Sequence, residues 1–353
     1  MDGLRVIPSS CRGDPWLEDG NIILTAEGDH GHVLKAFKVH RSVLARKSEF
    51  FGGMFDIPRP TASLDPVEQA NGCPVVRMHD RPDELSYLIK ALYDTPYVMQ
   101  YLLVWYRSRL NPENSTFYLR NVEDFYYLAG ILRLSTKYDI SHLRIQATQY
   151  LIKTWPYSID GHDEMVNRAL TAPRSVNNTT YPYVHPLHVL KLAREVDLQI
   201  IVPAALYFLS TYPLDLLRSG EHPKLQNSHP SCPSNELSLE DVTQYTLMYQ
   251  YRINITLEFI WKTCGERRCQ TQKECPQVLS RFNIDQTLIP SMGAFHLMAQ
   301  AVQCIDEDDT ICAPCKRAFR KDVSESRERL WKELPSVVGL RSWDELLASD
   351  LPS

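Results

Sequence analysis

Six cysteines in the last third of the chain have the residue type and spacing that could do the most distinctive chemistry. They form two groups, Cys264-x4-Cys269-x5-Cys275 and Cys304-x7-Cys312-x2-Cys315. Structural zinc takes four soft ligands in a tetrahedron, and two cysteines separated by two residues supply half of such a site. The last pair of the second group fits that half well.

The other half of the site is less well defined by its spacing. Cys264 and Cys269 are separated by four residues, at the edge of the usual ligand spacing, and Cys275 could replace either of them. Structural zinc is the only cofactor that the sequence suggests, and its predicted ligands are Cys264, Cys269, Cys312 and Cys315. Two alternatives stay open. The thiols could be small buried apolar side chains, or the C-x-x-C pair could be redox active, although no βαβ pattern surrounds it.

A basic run follows these cysteines and suggests a competing function. It consists of Lys316, Arg317, Arg320, Lys321, Arg327 and Arg329. Together with zinc, such a run could make the chain a nucleic-acid-binding transcriptional regulator. Interleaved acidic residues favour a charge-balanced helix face instead. The formal charge of −5, with no polybasic block, also argues against nucleic acid as the main partner.

Motifs that carry catalysis are missing from the sequence. It has no G-x-x-x-x-G-K-[ST], G-x-G-x-x-G, G-x-S-x-G or H-E-x-x-H segment. Nothing places a nucleophile beside a base. We therefore expect a protein that is not an enzyme, and we assign no catalytic residue.

The N-terminal third alternates the patterns of short strands and amphipathic helices. Residues 21–27 and 33–39 predict a hairpin, and residues 75–78 predict a third strand. Helical spacing predicts a helix over residues 42–55, with Ser42 as its cap and Gly52-Gly53 as its end or as a break within it. Asp80 is a predicted N-cap for a helix over residues 82–92. These elements make a small α+β module.

The same residues resemble a BTB/POZ domain, most closely the divergent form in the expanded family of mushroom-forming (basidiomycete) fungi. The most specific piece is F-K-V-H-R-S-V-L followed by S-x-F-F-x-x-M-F, and the likeness covers roughly residues 14–155. It implies a small sheet capped by helices, in which this chain carries insertions near 56–74 and 95–121, the latter a departure from the family. It also implies dimerisation with itself or another BTB/POZ protein, and binding of a cullin of a ubiquitin ligase or a transcriptional corepressor. The interaction residues that it implies are His40, Arg41, Phe50, Phe51, Met54 and Phe55.

One departure from the family concerns the charged pocket at the His-Arg pair. Asn21 stands where many family members have an aspartate that faces the arginine, here Arg41. The pocket is therefore half present unless Asp19 substitutes.

An internal repeat predicts that the second half of the chain is helical. Residues 132–156 align without gaps to residues 190–214, and leucine, aspartate and alanine positions coincide. Each copy reads as two helices joined at its aspartate, Asp139 or Asp197. We expect a mostly α-helical extension over residues 181–345 that contains the cysteine-rich segment.

The first twenty residues contain no apolar run long enough for a signal peptide, and no apolar run in the sequence is long and uninterrupted enough to span a membrane. We therefore expect a cytoplasmic or nuclear protein with no membrane partner. Its expected function is a non-catalytic protein–protein interaction module. The alternatives are the zinc-stabilised nucleic-acid-binding regulator and a cullin-type ubiquitin-ligase substrate adaptor.

Overall fold

The structure is a computed structural model that describes residues 7–27, 34–57, 69–93, 121–171, 181–264, 269, 275 and 293–352. The chain divides into two compact units. Unit 1 comprises Met1–Tyr150 and Ser228–Cys232, and unit 2 comprises Leu151–Asn227 and Pro233–Ser353. Most of both predicted insertions lies outside the described residues.

Unit 1 contains a mixed four-stranded sheet in the order β2-β1-β4-β3. Strand β1 (Ile22–Glu27) pairs antiparallel with β2 (Leu34–Val39) and parallel with β4 (Cys73–Met78). The short β3 (Gln69–Ala70), in the insertion predicted near 56–74, pairs antiparallel with β4. The end of β2 and the start of β4 both lie beside the start of β1, so the segment that joins them returns to the same end of the sheet.

The helix predicted over residues 42–55 is two helices, α1 (Arg41–Lys47) and α2 (Glu49–Asp56). Ser48 separates them because its hydroxyl caps α2 by accepting the N–H of Phe51. The predicted cap Ser42 is wrong, since the side-chain oxygen of Asn21 accepts the first N–H of α1, that of Arg41, at 2.8 Å. The prediction that Gly52-Gly53 ends the helix is also wrong, because both glycines lie inside α2.

Three longer helices complete unit 1. They are α3 (Pro82–Tyr93), α4 (Val122–Lys137) and the start of α5 (Ser141–Thr154). Asp80, the predicted cap of α3, accepts hydrogen bonds from Lys137 at 2.6 Å and from the hydroxyl of Tyr138. This carboxylate therefore ties the segment before α3 to the end of α4.

The described part of unit 2 contains helices joined by loops and no strands. After α5 it contains α6 (Ile159–Thr171), α7 (Pro186–Glu195), α8 (Val202–Leu209), α9 (Leu214–Ser219), α10 (Leu239–Glu258), α11 (Ala294–Glu307), α12 (Ala313–Val337) and α13 (Trp343–Asp350). Helix α10 continues into a π-helical turn, Phe259–Cys264. A small sheet module followed by a mostly helical region confirms the predicted α+β class.

The predicted internal repeat has the same backbone turn in both copies. Asp139 and Asp197 both adopt left-handed conformations, with φ of 49° and 48°. After each aspartate, the next N–H returns to a carbonyl five residues back, from Ile140 to Ser135 at 2.8 Å and from Leu198 to Ala193 at 2.9 Å. This is the bond pattern of a Schellman helix end, so each copy is two helices joined at its aspartate as predicted.

No single helix in the described part of the chain is long and apolar enough to cross a membrane. One bent pair, Gln199–Leu209 with Leu214–Leu225, passes the test of length and composition. Almost every side chain of α8, which lies in the first half of that pair, is buried in unit 2.

Candidate metal centre and interaction face

Four cysteines of unit 2 come together in one cluster. The sulfurs of Cys269, Cys275, Cys312 and Cys315 all lie within 4.8 Å of one another, and all four side chains are partly buried. Cys312 is the N-cap of α12, and Cys315 lies in the first turn of that helix. The helix start therefore holds the C-x-x-C pair in one place, as the spacing predicted.

The spacing of the sulfurs fits a tetrahedral zinc ion. A Zn–S bond of about 2.3 Å places the sulfurs of a tetrahedron about 3.8 Å apart. The Sγ atoms of Cys269 and Cys275 are 3.4 Å apart, and those of Cys269 and Cys315 are 3.9 Å apart. The donor set of four thiols is also the one that structural zinc prefers.

The close neighbours of Cys275 shift the pKa of its thiol. The backbone N–H of Cys312 lies 3.4 Å from the Cys275 sulfur and lowers its pKa. Burial and the neighbouring thiols of Cys269 and Cys312 outweigh that bond and raise the pKa of Cys275 to about 12. A divalent cation would reverse this balance, since it favours the thiolate of each ligand.

Three of the four predicted ligands lie in the cluster. The fourth member is Cys275, which the sequence had identified as a replacement. Cys264 ends the π-helical turn after α10, and its side chain lies outside the described part of the structure. Cys304 is exposed on α11 and is not in the cluster.

The residues of the predicted His-Arg pair take different partners. His40 Nε2 lies 3.2 Å from the carboxylate of Asp19, and its Nδ1 lies 3.0 Å from the hydroxyl of Tyr93. Arg41 donates to the carbonyl oxygen of Phe55 at 2.5 Å, and its guanidinium lies 4.9 Å from the centre of the Phe55 ring. Asp19 therefore pairs with the histidine rather than substituting opposite the arginine.

Helix α2 divides the predicted interaction residues into core and surface. Phe51 is fully buried, and its ring centre lies 4.9 Å from that of Tyr138. Phe50 is 48% exposed, and Ile57, directly after the helix, is 67% exposed. Met54 and Phe55 are partly buried. The surface of α2 therefore carries an apolar face made by Phe50, Met54, Phe55 and Ile57.

The basic run on α12 carries carboxylate partners at several positions. Arg320 pairs with Asp306 at 2.8 Å, and Arg329 pairs with Glu333 at 3.0 Å. Arg327 donates to the carboxylate of Asp163. The helix face is therefore balanced in charge at these positions.

Comparison of the chain with models of known protein families, with curated proteins and with solved structures returns no match.

Proposed function

We propose that this chain is a non-catalytic protein–protein interaction module that associates with a second copy of itself through the apolar face of α2. The observation that carries the proposal is the exposure of Phe50 on α2 and of Ile57 directly after that helix. Large apolar side chains that are grouped on a surface mark interaction sites more often than isolated ones do. The resemblance to BTB/POZ domains points to the same helices and to self-association.

The order of elements in unit 1 agrees with that resemblance. Two antiparallel strands, a helical hairpin, a third strand parallel to the first and further helices follow one another along the chain. Another BTB/POZ protein, a cullin or a corepressor are alternative occupants of the same face.

Light scattering of the purified chain at micromolar concentration tests self-association. We expect a dimer, and we expect Ile57→Asp to shift it to a monomer, because the change places a charge on the face without touching the core. Leu170→Asp is the matched control. Leu170 is 61% exposed on α6 of unit 2, so its replacement should leave the dimer intact. A wild-type monomer, or an Ile57→Asp dimer of unchanged stability, contradicts the proposal.

We further propose that Cys269, Cys275, Cys312 and Cys315 hold a structural zinc ion. Such an ion would fix the start of α12 to the segment that carries Cys269 and Cys275. The thiols would bind as thiolates, so loading releases protons and weakens as the pH falls. The ion pairs on α12 support a structural role over nucleic-acid binding, because they offset the basic run.

Metal analysis of the chromatographic peak tests the zinc proposal. We expect about one zinc ion per chain, lost on Cys275→Ser and retained on Cys304→Ser, the matched control outside the cluster. Cys264→Ser distinguishes the cluster from the ligand set predicted from spacing, and we expect it to retain zinc. A metal-free wild type, or loss of zinc from Cys264→Ser, contradicts the assignment.

A further inference from the structure

A second polar cluster, in unit 2, is made of two histidines, a tyrosine and a lysine. The ring centres of His185 and His222 are 4.9 Å apart, and that of Tyr212 lies 4.6 Å and 5.2 Å from them. Lys224 follows His222 in the 3-10 turn Pro223–Leu225 and is only 9% exposed. His222 and Tyr212 are partly exposed, so the cluster reaches the surface through them.

The backbone fixes which nitrogen of each histidine carries the proton. His185 is the N-cap of α7, and its Nδ1 accepts the N–H of Leu187 at 3.1 Å. His222 Nδ1 accepts the N–H of Lys224 at 3.2 Å. A neutral imidazole whose Nδ1 accepts a hydrogen bond carries its proton on Nε2. Both rings therefore present an Nε2–H donor.

These donors and the lysine have no acceptor among the described residues. His185 is fully buried, and its Nε2 has no hydrogen-bond partner. Lys224 forms no ion pair with a described carboxylate. The charged groups that act on His185 are all basic, namely His222, His188 and Lys224, and each of them lowers its pKa further after burial has done so.

A histidine of unit 1, His229, has the same local hydrogen bond as His185 and His222 but also has an acidic partner for its Nε2. His229 also precedes a proline, and its Nδ1 accepts the N–H of Ser231 at 3.0 Å, two residues on. Its Nε2, however, lies 3.4 Å from the carboxylate of Glu123. The same local motif has an acidic partner in unit 1, whereas none is found at His185 in the described part of unit 2.

We propose that His185, His222 and Lys224 form a binding site for a small oxyanion, either a phosphate or a carboxylate group. A buried ammonium without a counter-ion is costly, and an anion at this place would offset that cost. Three nitrogen donors grouped in one cluster, with no carboxylate paired to them among the described residues, match an oxyanion and disfavour a cation. A metal ion is excluded for a second reason, since the lone pair of each imidazole already accepts a backbone N–H.

Calorimetric titration of the full chain with inorganic phosphate, at constant ionic strength in chloride, tests the site. We expect saturable binding to the wild type. Lys224→Met should weaken it about tenfold or more, as expected for the loss of a hydrogen bond to a charged group. Lys332→Met on α12 is the matched control, since Lys332 is exposed and belongs to no cluster.

A second variant removes only the donor of His185. In His185→Asn the side-chain oxygen can still cap α7, because asparagine is a good N-cap, but the Nε2–H is lost. We expect weaker phosphate binding by a folded protein. Without phosphate, Lys224→Met should be at least as stable as the wild type, because it removes a buried charge. Weaker binding by that variant would therefore not be a sign of unfolding.

Titration with acetate distinguishes the two sources of the oxyanion. Acetate binding as tight as phosphate binding supports the site and assigns it to carboxylates, and binding of phosphate alone assigns it to phosphoryl groups. The proposal is overturned if neither anion binds above the chloride background. It is also overturned if Lys224→Met binds phosphate as the wild type does.

Discussion

The two copies of the helical repeat share one turn but use a basic residue at the same position in different ways. Arg133 of the first copy aligns with Lys191 of the second. Arg133 pairs at 2.7 Å with Glu84, in the first turn of α3, and Lys191 pairs at 2.5 Å with Asp241, in the first turn of α10. Both carboxylates are buried. The repeat therefore preserves a buried ion pair as well as a backbone turn.

The two carboxylates differ in what else depends on them. Arg133 also donates to the carbonyl oxygen of Ser231 at 3.0 Å, so it keeps an acceptor if Glu84 is lost. Asp241 has a second role, because it closes the capping box of α10 with Ser238. Glu84 serves one ion pair, whereas Asp241 serves ion pairs with Lys191 and Arg194 and also the start of a helix. Ion pairs at equivalent positions of a repeat can therefore contribute differently to the stability of the protein.

The largest expected effect comes from removing these acids. Asp241→Ala leaves the ammonium of Lys191 buried without a partner and should lower the free energy of unfolding by about 3–5 kcal/mol. Glu84→Ala should cost about 1 kcal/mol less, because no capping box is lost with it. Denaturant unfolding of both variants gives the comparison.

The double variant Asp241→Ala with Lys191→Met serves as the control. It should recover part of the lost stability, since no unpaired charge remains. A double variant no more stable than Asp241→Ala, or equal costs for the two acids, would show that the pairs do not differ in this way.

The second difference concerns the residues just before each copy, and it is a difference in acid sensitivity. His185 and His188 precede the second copy at the same spacing as Tyr127 and Gly130 precede the first, so only the segment before the second copy buries imidazoles at these positions. Burial lowers the pKa of both histidines, and that of His185 falls to about 2. The unfolded chain then binds protons that the folded chain does not, so stability is lost as the pH falls below about 6.5.

For His185 alone the expected loss is about 2 kcal/mol between pH 6.5 and pH 5. Urea unfolding across this range, in buffer free of phosphate and acetate, measures it. His185→Asn cannot take up this proton and should show a shallower dependence on pH. An unchanged dependence would mean that His185 does not remain neutral in the folded chain.

Much of the fold was predictable because its signals are local. The strands at residues 21–27, 33–39 and 75–78 and the helix over residues 82–92 agree with β1, β2, β4 and α3 to within two residues. Two details were missed although the sequence contains local signals for both. Ser48 is a good helix cap within a helical pattern, and Asn71-Gly72 is a strong hairpin signal within a polar loop. Asn71 and Gly72, with φ values of 51° and 73°, form the turn between β3 and β4.

The candidate sites were less predictable because they depend on long-range placement. Spacing identified Cys312 and Cys315, which lie on one helix turn, but it could not choose between Cys264 and Cys275. That choice depends on the path of the chain after α10. The histidine–lysine cluster was not predicted at all. Its one local signal is a histidine before a proline, at His185 and His222, because proline has no N–H and the next free N–H can reach the ring.

The smallest expected effect concerns the shared turn itself. Left-handed backbone conformations cost free energy in residues other than glycine, although aspartate tolerates them better than most. Asp139→Gly should therefore stabilise unit 1 by about 0.5 kcal/mol. Asp197→Gly should stabilise unit 2 by less, because the side chain of Asp197 also accepts a hydrogen bond from Gln199 at 3.4 Å.

The alanine variants at the same positions are the control for this prediction. Alanine keeps the cost of the positive φ but loses the aspartate side chain, so both alanine variants should be less stable than the wild type. Thermal unfolding of the four proteins ranks them. If glycine destabilises either copy, the side chain of that aspartate makes stabilising contacts in the folded chain. The turns of the two copies would then be stabilised by different interactions.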